Sequence, residues 1–166
     1  MTLRVDTRAR TLTAFGALYP CIIGRGGAVA AAHKREGDGA TPLGSWPLRS
    51  VLLRPGGGFG APALPWRWLR PGDSWSDDPA DPAYNRPVAH AHGFSAECLW
   101  RADGAYDCIV VLGHNDAPPV PGLGSAIFLH VARPDGAPTE GCVALARADL
   151  AALMPRLAPG MVLDIA

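Results

Sequence analysis

The sequence places a histidine and a cysteine at the two ends of a turn-rich loop, "HVARPDGAPTEGC" (residues 130–142). A cysteine is a strong nucleophile only as its thiolate, so it needs a base within reach. If the segments flanking the loop are neighbouring strands, His130 would take the thiol proton of Cys142 and later return it to a leaving amine. The N–H groups of Gly141 and Cys142 would hold the developing oxyanion. Alternatively, Cys142 is a small buried apolar residue and His130 a hydrogen-bonded core histidine, and the spacing alone does not choose.

Other histidines suggest a different chemistry. In "AHAHG", His90 and His92 would share one face of a strand, and with His114, His130 or Cys142 they would form a three-ligand zinc site with one open position. The chain has no CxxC or HExxH motif, so we expect no metal. His114 also ends a buried apolar run in "GHND", which suits a substrate contact and a structural turn equally.

Short apolar segments bounded by Gly, Pro, Asp or Asn recur along the chain and predict a mainly β fold. We expect strands at 2–6, 10–15, 18–23, 47–53, 106–112, 125–131, 141–145 and 161–165. The segments 106–112 and 125–131 are rich in β-branched and aromatic residues, as central strands buried on both faces tend to be. These two segments are therefore the predicted core of the sheet.

The segments between the predicted strands differ in character. After Cys142, apolar residues recur at helical spacing and predict one helix: Leu150, Leu153, Met154 and Leu157. Asp149 would lie in its first turn, and Pro155 would end or kink it. The segment 54–87 combines turn residues with aromatic ones, so we interpret it as an ordered loop that lines a cleft.

Composition excludes several classes of protein. The 166 residues fit one domain, and 15 Lys and Arg balance 15 Asp and Glu, so no overall charge attracts nucleic acid or an anionic membrane. No run of about 18 apolar residues predicts a membrane span. The four cysteines are too few and too irregularly spaced for a disulfide framework. The N-terminal segment is interrupted by an acidic residue, glycines and a proline, so we expect no secretion signal.

Several motifs together resemble a known family. "HVARPDGAPTEGCVAL", preceded by "GHND" and "GLGSAIF", is similar to the catalytic core of the L,D-transpeptidase (YkuD-type) domain, in which a histidine and a loop precede Ser/Thr-x-Gly-Cys. "EGDGATPLGSWPL" (36–48) resembles the Thr-Pro-x-Gly strand entry of that family. The resemblance implies a YkuD-like β-sandwich of mixed sheets, with one or two short helices including one after the cysteine. It also implies that residues 1–166 form a single catalytic domain that needs no cofactor.

The resemblance also assigns roles to particular residues. Cys142 would attack the carbonyl of the diamino acid in a peptidoglycan stem peptide, expelling D-Ala and leaving a thioester. His130 would act as base and then as acid, oriented by the main-chain carbonyl of Val131. Two departures stand out, because the family usually has a histidine where this chain has Glu140, and Arg or Asn where it has Ala144. The loop after the histidine is also shorter than in most members, so the identity of the acyl acceptor is open.

We therefore expect a cysteine-dependent L,D-carboxypeptidase that removes the terminal D-Ala from muropeptide tetrapeptides during peptidoglycan recycling. The alternatives are an L,D-transpeptidase that crosslinks peptidoglycan or exchanges D-amino acids, and a non-catalytic muropeptide-binding module. Candidate substrate-binding residues are His114, Arg133, Thr139 and Glu140, with Arg133 facing a carboxylate and Glu140 an ammonium. The expected partner is a muropeptide or stem peptide, and the expected location is the cytoplasm, with the periplasm as the alternative.

Overall fold

The chain folds mainly into short strands, and the computed structural model describes residues 2–166. The strands are β1 (Thr2–Asp6), β2 (Thr11–Ala14), β3 (Ala17–Ile22), β4 (Ala28–Ala30), β5 (Thr41–Leu53), β6 (Trp66–Trp68), β7 (Asp73–Ser76), β8 (Pro87–Ala89), β9 (Ala96–Cys98), β10 (Cys108–Leu112), β11 (Phe128–Val131), β12 (Val143–Leu145) and β13 (Val162–Ile165). The helix α1 (Arg147–Leu153) continues into a 3-10 segment at Met154–Arg156, and a second 3-10 segment spans Ala31–His33. The predicted mainly β fold is confirmed, while residue 1 of the predicted domain lies outside the described residues.

The main sheet has ten strands and folds over into two layers. One layer contains β1, β2 and β13, and the other contains β10, β11 and β12. Strands β3 and β5 belong to both layers, since residues 44–47 of β5 pair with β13 and residues 48–53 pair with β10. The β1–β13 and β11–β12 pairs are parallel and most others antiparallel, so the fold is a sandwich of mixed sheets.

The alternation of side chains along β11 sorts its residues between two apolar clusters. Leu129 is fully buried in the core between the layers, together with Leu3 of β1 and Val143 of β12. Phe128 and His130 point to the opposite face, because successive residues of a strand face opposite ways. Phe128 joins a second apolar cluster there. His130 is therefore directed away from the main core.

A second sheet of three strands, in the order β8-β7-β9, supplies part of that second cluster. Trp75 of β7 meets the Phe128 ring edge-on, with ring centroids 5.1 Å apart. The prediction that residues 54–87 form a loop is wrong in part, since β6 and β7 lie within it and β8 begins at its end. These strands have three or four residues each, which is too short for an alternating pattern to stand out from the turn residues around them.

Helix α1 lies after the cysteine, where it was predicted. Leu150 and Leu153 face the main core and are fully buried, and Asp149 occupies the first turn, where a negative charge suits the helix dipole. Pro155 lies in the 3-10 segment that ends the helix. Within residues 2–166, no helix has the length and apolar character to cross a membrane.

Candidate active site

The register between β11 and β12 brings the predicted histidine and cysteine to the same face. His130 pairs with Ala144 in this parallel ladder, and Cys142 precedes Ala144 by two residues. Because side chains of a strand alternate with a period of two, His130, Ala144 and Cys142 share one side of the sheet. All three line a single cavity of about 420 Å³. The structure therefore places His130 and Cys142 in the lining of one cavity, and their action on the same bond stays a prediction.

His130 is fixed in one tautomer. Its Nδ1 lies 2.8 Å from the Val131 carbonyl oxygen, which only accepts hydrogen bonds, so Nδ1 carries the proton and Nε2 has a free lone pair. The Tyr106 ring meets the imidazole edge-on at 5.1 Å between centroids. Burial lowers the pKa of His130 to about 4. The ring is therefore neutral near pH 7 and able to accept a proton at Nε2.

Cys142 is held by two main-chain groups of the segment that enters β11. Its Sγ accepts from the Phe128 N–H at 3.3 Å and donates to the Ala126 carbonyl at 3.2 Å. The residue is only 6% exposed, and burial raises the pKa of its thiol to about 12. The cavity thus contains a neutral thiol and a neutral imidazole at rest. Attack by Cys142 on a substrate would require its thiol to lose a proton.

Gly141 and Thr139 shape the turn that delivers the cysteine. Gly141 has φ +134°, and a Cβ there would lie 2.8 Å from the Ala40 carbonyl oxygen, so only glycine fits. The Thr139 hydroxyl donates to the Cys142 carbonyl at 2.7 Å and accepts from the Gly141 N–H at 3.2 Å. An oxyanion role for the Gly141 N–H would need that last bond to break, so the role stays a prediction. Thr139 lines the cavity, whereas Gly141 does not.

The two charged residues predicted to contact substrate lie at the exposed edge of the cavity. Arg133 Nη2 pairs with Asp135 Oδ2 at 2.7 Å. The single N–H of Arg25 Nε is shared between the two carboxylate oxygens of Glu140, at 2.8 and 2.9 Å. Both side chains would have to share or exchange these partners to bind a substrate. Their proposed contacts stay predictions.

Of the four predicted substrate-binding residues, His114 is the one that does not line the cavity. Its Nε2 lies 3.1 Å from the Leu123 carbonyl oxygen, and the Trp46 ring meets it edge-on at 4.7 Å between centroids. The pKa of His114 is lowered, mainly because the imidazole is buried. In this arrangement His114 supports the turn at the end of β10. Of the two possibilities considered for this histidine, a substrate contact and a structural turn, the contacts of the side chain favour the turn.

The histidines of the zinc hypothesis do not come together either. His92 Nε2 contacts Asp81 Oδ2 at 2.5 Å, and His90 is exposed just after β8. Within residues 2–166, no three His, Cys, Asp or Glu side chains converge as metal ligands would. The spacing in "AHAHG" thus reflects a surface segment beside the small sheet.

Sequence reasoning missed most of the polar cavity wall. Six further charged or polar residues line it: Glu36, Asp77, Glu97, Arg101, Tyr106 and Ser125. They come from separate loops and from β9, so no local spacing connects them with Cys142. Tyr106 and Ser125 fell inside predicted strands, where the sequence pattern predicted that the segment is buried but not which side chains face a cavity. Their shared cavity is a consequence of tertiary structure.

The comparisons with known proteins agree with this arrangement. The family model described as the L,D-transpeptidase catalytic domain, YkuD, matches residues 2–165. Searches of curated proteins and of solved structures returned no match. Cysteine catalysis of the L,D-transpeptidase type is thus supported at the level of the family. From this match over nearly the whole chain, with Cys142 and His130 in one cavity, we conclude that the chain belongs to the L,D-transpeptidase catalytic domain (YkuD) family.

Proposed function

We propose that the protein is an L,D-carboxypeptidase that removes the terminal D-Ala from stem tetrapeptides. One observation carries this proposal: a thiol and a neutral imidazole of fixed tautomer line the same cavity, in a chain of this family. In the first step, His130 Nε2 takes the thiol proton while Sγ of Cys142 bonds to the carbonyl carbon of the diamino acid. The C–N bond to D-Ala then breaks, and the imidazolium gives its proton to the departing amine. The acyl group remains as a thioester.

In the second step, a water molecule resolves the thioester. His130, neutral again, takes a proton from water as the oxygen attacks the acyl carbon, and it returns that proton to the departing sulfur. The products are a tripeptide with a new carboxylate and the free thiol. The enzyme returns to its starting protonation state, so the cycle consumes one water for each D-Ala released.

The size of the cavity favours a small acceptor. A volume of about 420 Å³ is at the lower end of the range for small-molecule sites, so it suits one peptide segment better than two. Ala144 lines the cavity in place of the Arg or Asn usual in the family, and Glu140 stands in place of a histidine. Both differences change side chains within two residues of Cys142, where an acyl acceptor would approach. They support water over a second stem peptide.

Small recycled muropeptides fit this reaction, and we propose the cytoplasm as its setting. The supporting consideration is the volume of the cavity, about 420 Å³, which suits one short peptide. Immunodetection of the protein in cytoplasmic and periplasmic fractions tests this proposal. Recovery in the periplasmic fraction would contradict it.

A binding module without catalysis is the second candidate, and one observation favours it. Burial raises the pKa of the Cys142 thiol to about 12, which makes the resting sulfur a weak nucleophile. In that case the cavity would hold a stem peptide, and Cys142 would only support the loop. Substituting Cys142 by Ala would then leave peptide binding intact, and neither protein would release product.

Mass spectrometry of a defined muropeptide tetrapeptide, incubated with the protein with and without a free D-amino acid, separates these candidates. The proposal predicts tripeptide and free D-Ala in both samples. Exchange products alone, or dimers alone, would establish a transpeptidase and reject the carboxypeptidase. Unchanged tetrapeptide in both samples would favour the binding module.

A further inference from the structure

The side chain of Asn85 is a buried amide with every hydrogen-bonding position occupied. Asn85 lies between β7 and β8 and is 4% exposed. Its Nδ2 donates to the main-chain carbonyls of His114 at 3.1 Å and Asn115 at 2.7 Å. Its Oδ1 accepts from Trp75 Nε1 at 2.9 Å and from the Ala126 N–H at 3.1 Å. The amide has one orientation, because exchanging its oxygen and nitrogen would mismatch all of these contacts.

The contact with Ala126 holds a residue of unfavourable backbone conformation. Ala126 has φ +53°, in the left-handed region that residues other than Gly, Asn and Asp rarely adopt. Such a residue keeps this conformation only when its surroundings hold it. Loss of the Asn85 amide would remove the hydrogen bond that the Ala126 N–H makes, and a buried N–H without a partner is costly.

Ala126 in turn holds the thiol of Cys142. The Ala126 carbonyl oxygen accepts from Cys142 Sγ at 3.2 Å, while the Phe128 N–H donates to the same sulfur at 3.3 Å. The direction of a main-chain carbonyl depends on the φ and ψ of the residue that carries it, so a change at Ala126 would turn its carbonyl away from the sulfur. Asn85 is therefore connected to the sulfur through the N–H and the carbonyl of a single residue.

Asn85 does not touch the space in which a substrate would lie. Ala126 and Cys142 line the catalytic cavity, and Asn85 does not. Asn85 lines a different depression of about 270 Å³, which shares no lining residue with that cavity. A change at Asn85 would therefore affect the placement of the sulfur and not the contacts that bind the peptide.

We propose that Asn85 is a positioning residue for Cys142, and that it acts by holding Ala126 in the conformation in which the Ala126 carbonyl accepts from the thiol. The backbone of Asn85 suits this task, since its own φ is +55° and asparagine tolerates the left-handed region better than most residues. A fixed sulfur matters because misplacing a reacting group by about 1 Å can lower a rate about a hundredfold. The effect on turnover rests on the proposed function, whereas the effect on the thiol does not.

The test compares two asparagines of similar backbone conformation. Asn85→Gly removes the amide and keeps the left-handed backbone, which glycine adopts freely. Asn115→Gly is the matched control, because Asn115 has φ +48° and its side chain makes three hydrogen bonds, none of them with Ala126. Asn85→Asp is the conservative variant, since it keeps an oxygen that can accept from the Ala126 N–H.

The first readout is the S–H stretching band in the Raman spectrum, which moves to lower frequency when a thiol donates a hydrogen bond. Subtracting the spectrum of the same protein with Cys142→Ala isolates the band of Cys142. We expect the band of a hydrogen-bonded thiol in the unsubstituted protein, in Asn115→Gly and in Asn85→Asp. In Asn85→Gly the band should shift toward the frequency of a free thiol.

The second readout is the release of D-Ala from a tetrapeptide. In Asn85→Gly we expect kcat to fall about tenfold to a hundredfold, because the sulfur is no longer held. KM should change by less than about twofold, since Asn85 lies outside the cavity lining. Asn115→Gly should change neither constant by more than about twofold, and Asn85→Asp should retain most of kcat.

Circular dichroism checks that each variant folds. An unmoved S–H band in folded Asn85→Gly, or an equal shift in Asn115→Gly, overturns the proposal. If Asn85→Gly does not fold, Asn85→Asp takes its place: the band of a hydrogen-bonded thiol there supports the proposal, and that of a free thiol overturns it. A shift confined to Asn85→Gly, without D-Ala release by any of the proteins, supports the positioning role and rejects the carboxypeptidase. Equal kcat for D-Ala release in the unsubstituted protein and Asn85→Gly does the reverse.

Discussion

The buried imidazole makes a quantitative prediction about stability that needs no knowledge of the substrate. Burial lowers the pKa of His130 from 6.5 to about 4. Between pH 6.5 and pH 4, the imidazole therefore binds a proton in the unfolded chain but not in the folded protein. Stability from this residue is therefore complete above pH 6.5 and is lost as the pH falls toward 4. Linkage gives a loss of about 2 kcal/mol between pH 7 and pH 5.

The measurement is urea denaturation of the protein and of the variant His130→Gln at pH 7 and pH 5. Other groups titrate in both proteins, so the difference between their pH dependences isolates the imidazole. We expect the unsubstituted protein to lose about 2 kcal/mol more than the variant over this interval. Equal losses would refute the reasoning, because they would mean that His130 is as readily protonated in the folded protein as in water.

Three further predictions follow from the site. The acid limb of kcat/KM for D-Ala release should lie near pH 4 to 5, because His130 is already neutral above that range, and a limb near pH 6.5 would contradict this. Gly141→Ala should lower Tm by roughly 5–10 °C, because alanine is strained at a positive φ and its Cβ would press against the Ala40 carbonyl oxygen. The control Gly60→Ala has open space around the added Cβ and should leave Tm almost unchanged. Equal Tm values for the two variants would contradict this prediction. At pH 7 without substrate, iodoacetamide should label exposed Cys98 before Cys142, as peptide mapping would show, since burial raises the pKa of the Cys142 thiol to about 12; faster labelling of Cys142 would indicate a thiolate.

The sequence predicted the parts of the fold that depend on local pattern. The segments 106–112 and 125–131 became β10 and β11, which are buried along their whole length as their β-branched and aromatic content indicated. The helix after Cys142 followed from apolar spacing. Placing His130 and Cys142 on one cavity required one further step, the parallel register of β11 and β12, which the loop between them allows.

Other features depend on contacts that no local pattern encodes. Strand β5 begins at Thr41 rather than 47, because pairing with β4 and β13 holds a segment that contains prolines and a glycine in extended form. His114 had the residue type and strand-end position of a substrate contact, but the packing of Trp46 places it elsewhere. The carboxylates of the cavity come from distant loops and from β9, so only the folded chain shows that they line the same cavity as Cys142.

The central claim is that Cys142 forms a covalent bond with the acyl donor. Intact-protein mass spectrometry after rapid acid quenching of a reaction with tetrapeptide tests it most directly. We predict a mass increase equal to the tripeptide acyl group, located on Cys142 by peptide mapping, and no such adduct or D-Ala release in Cys142→Ala. Release of D-Ala by the Cys142→Ala protein at an undiminished rate would contradict the account.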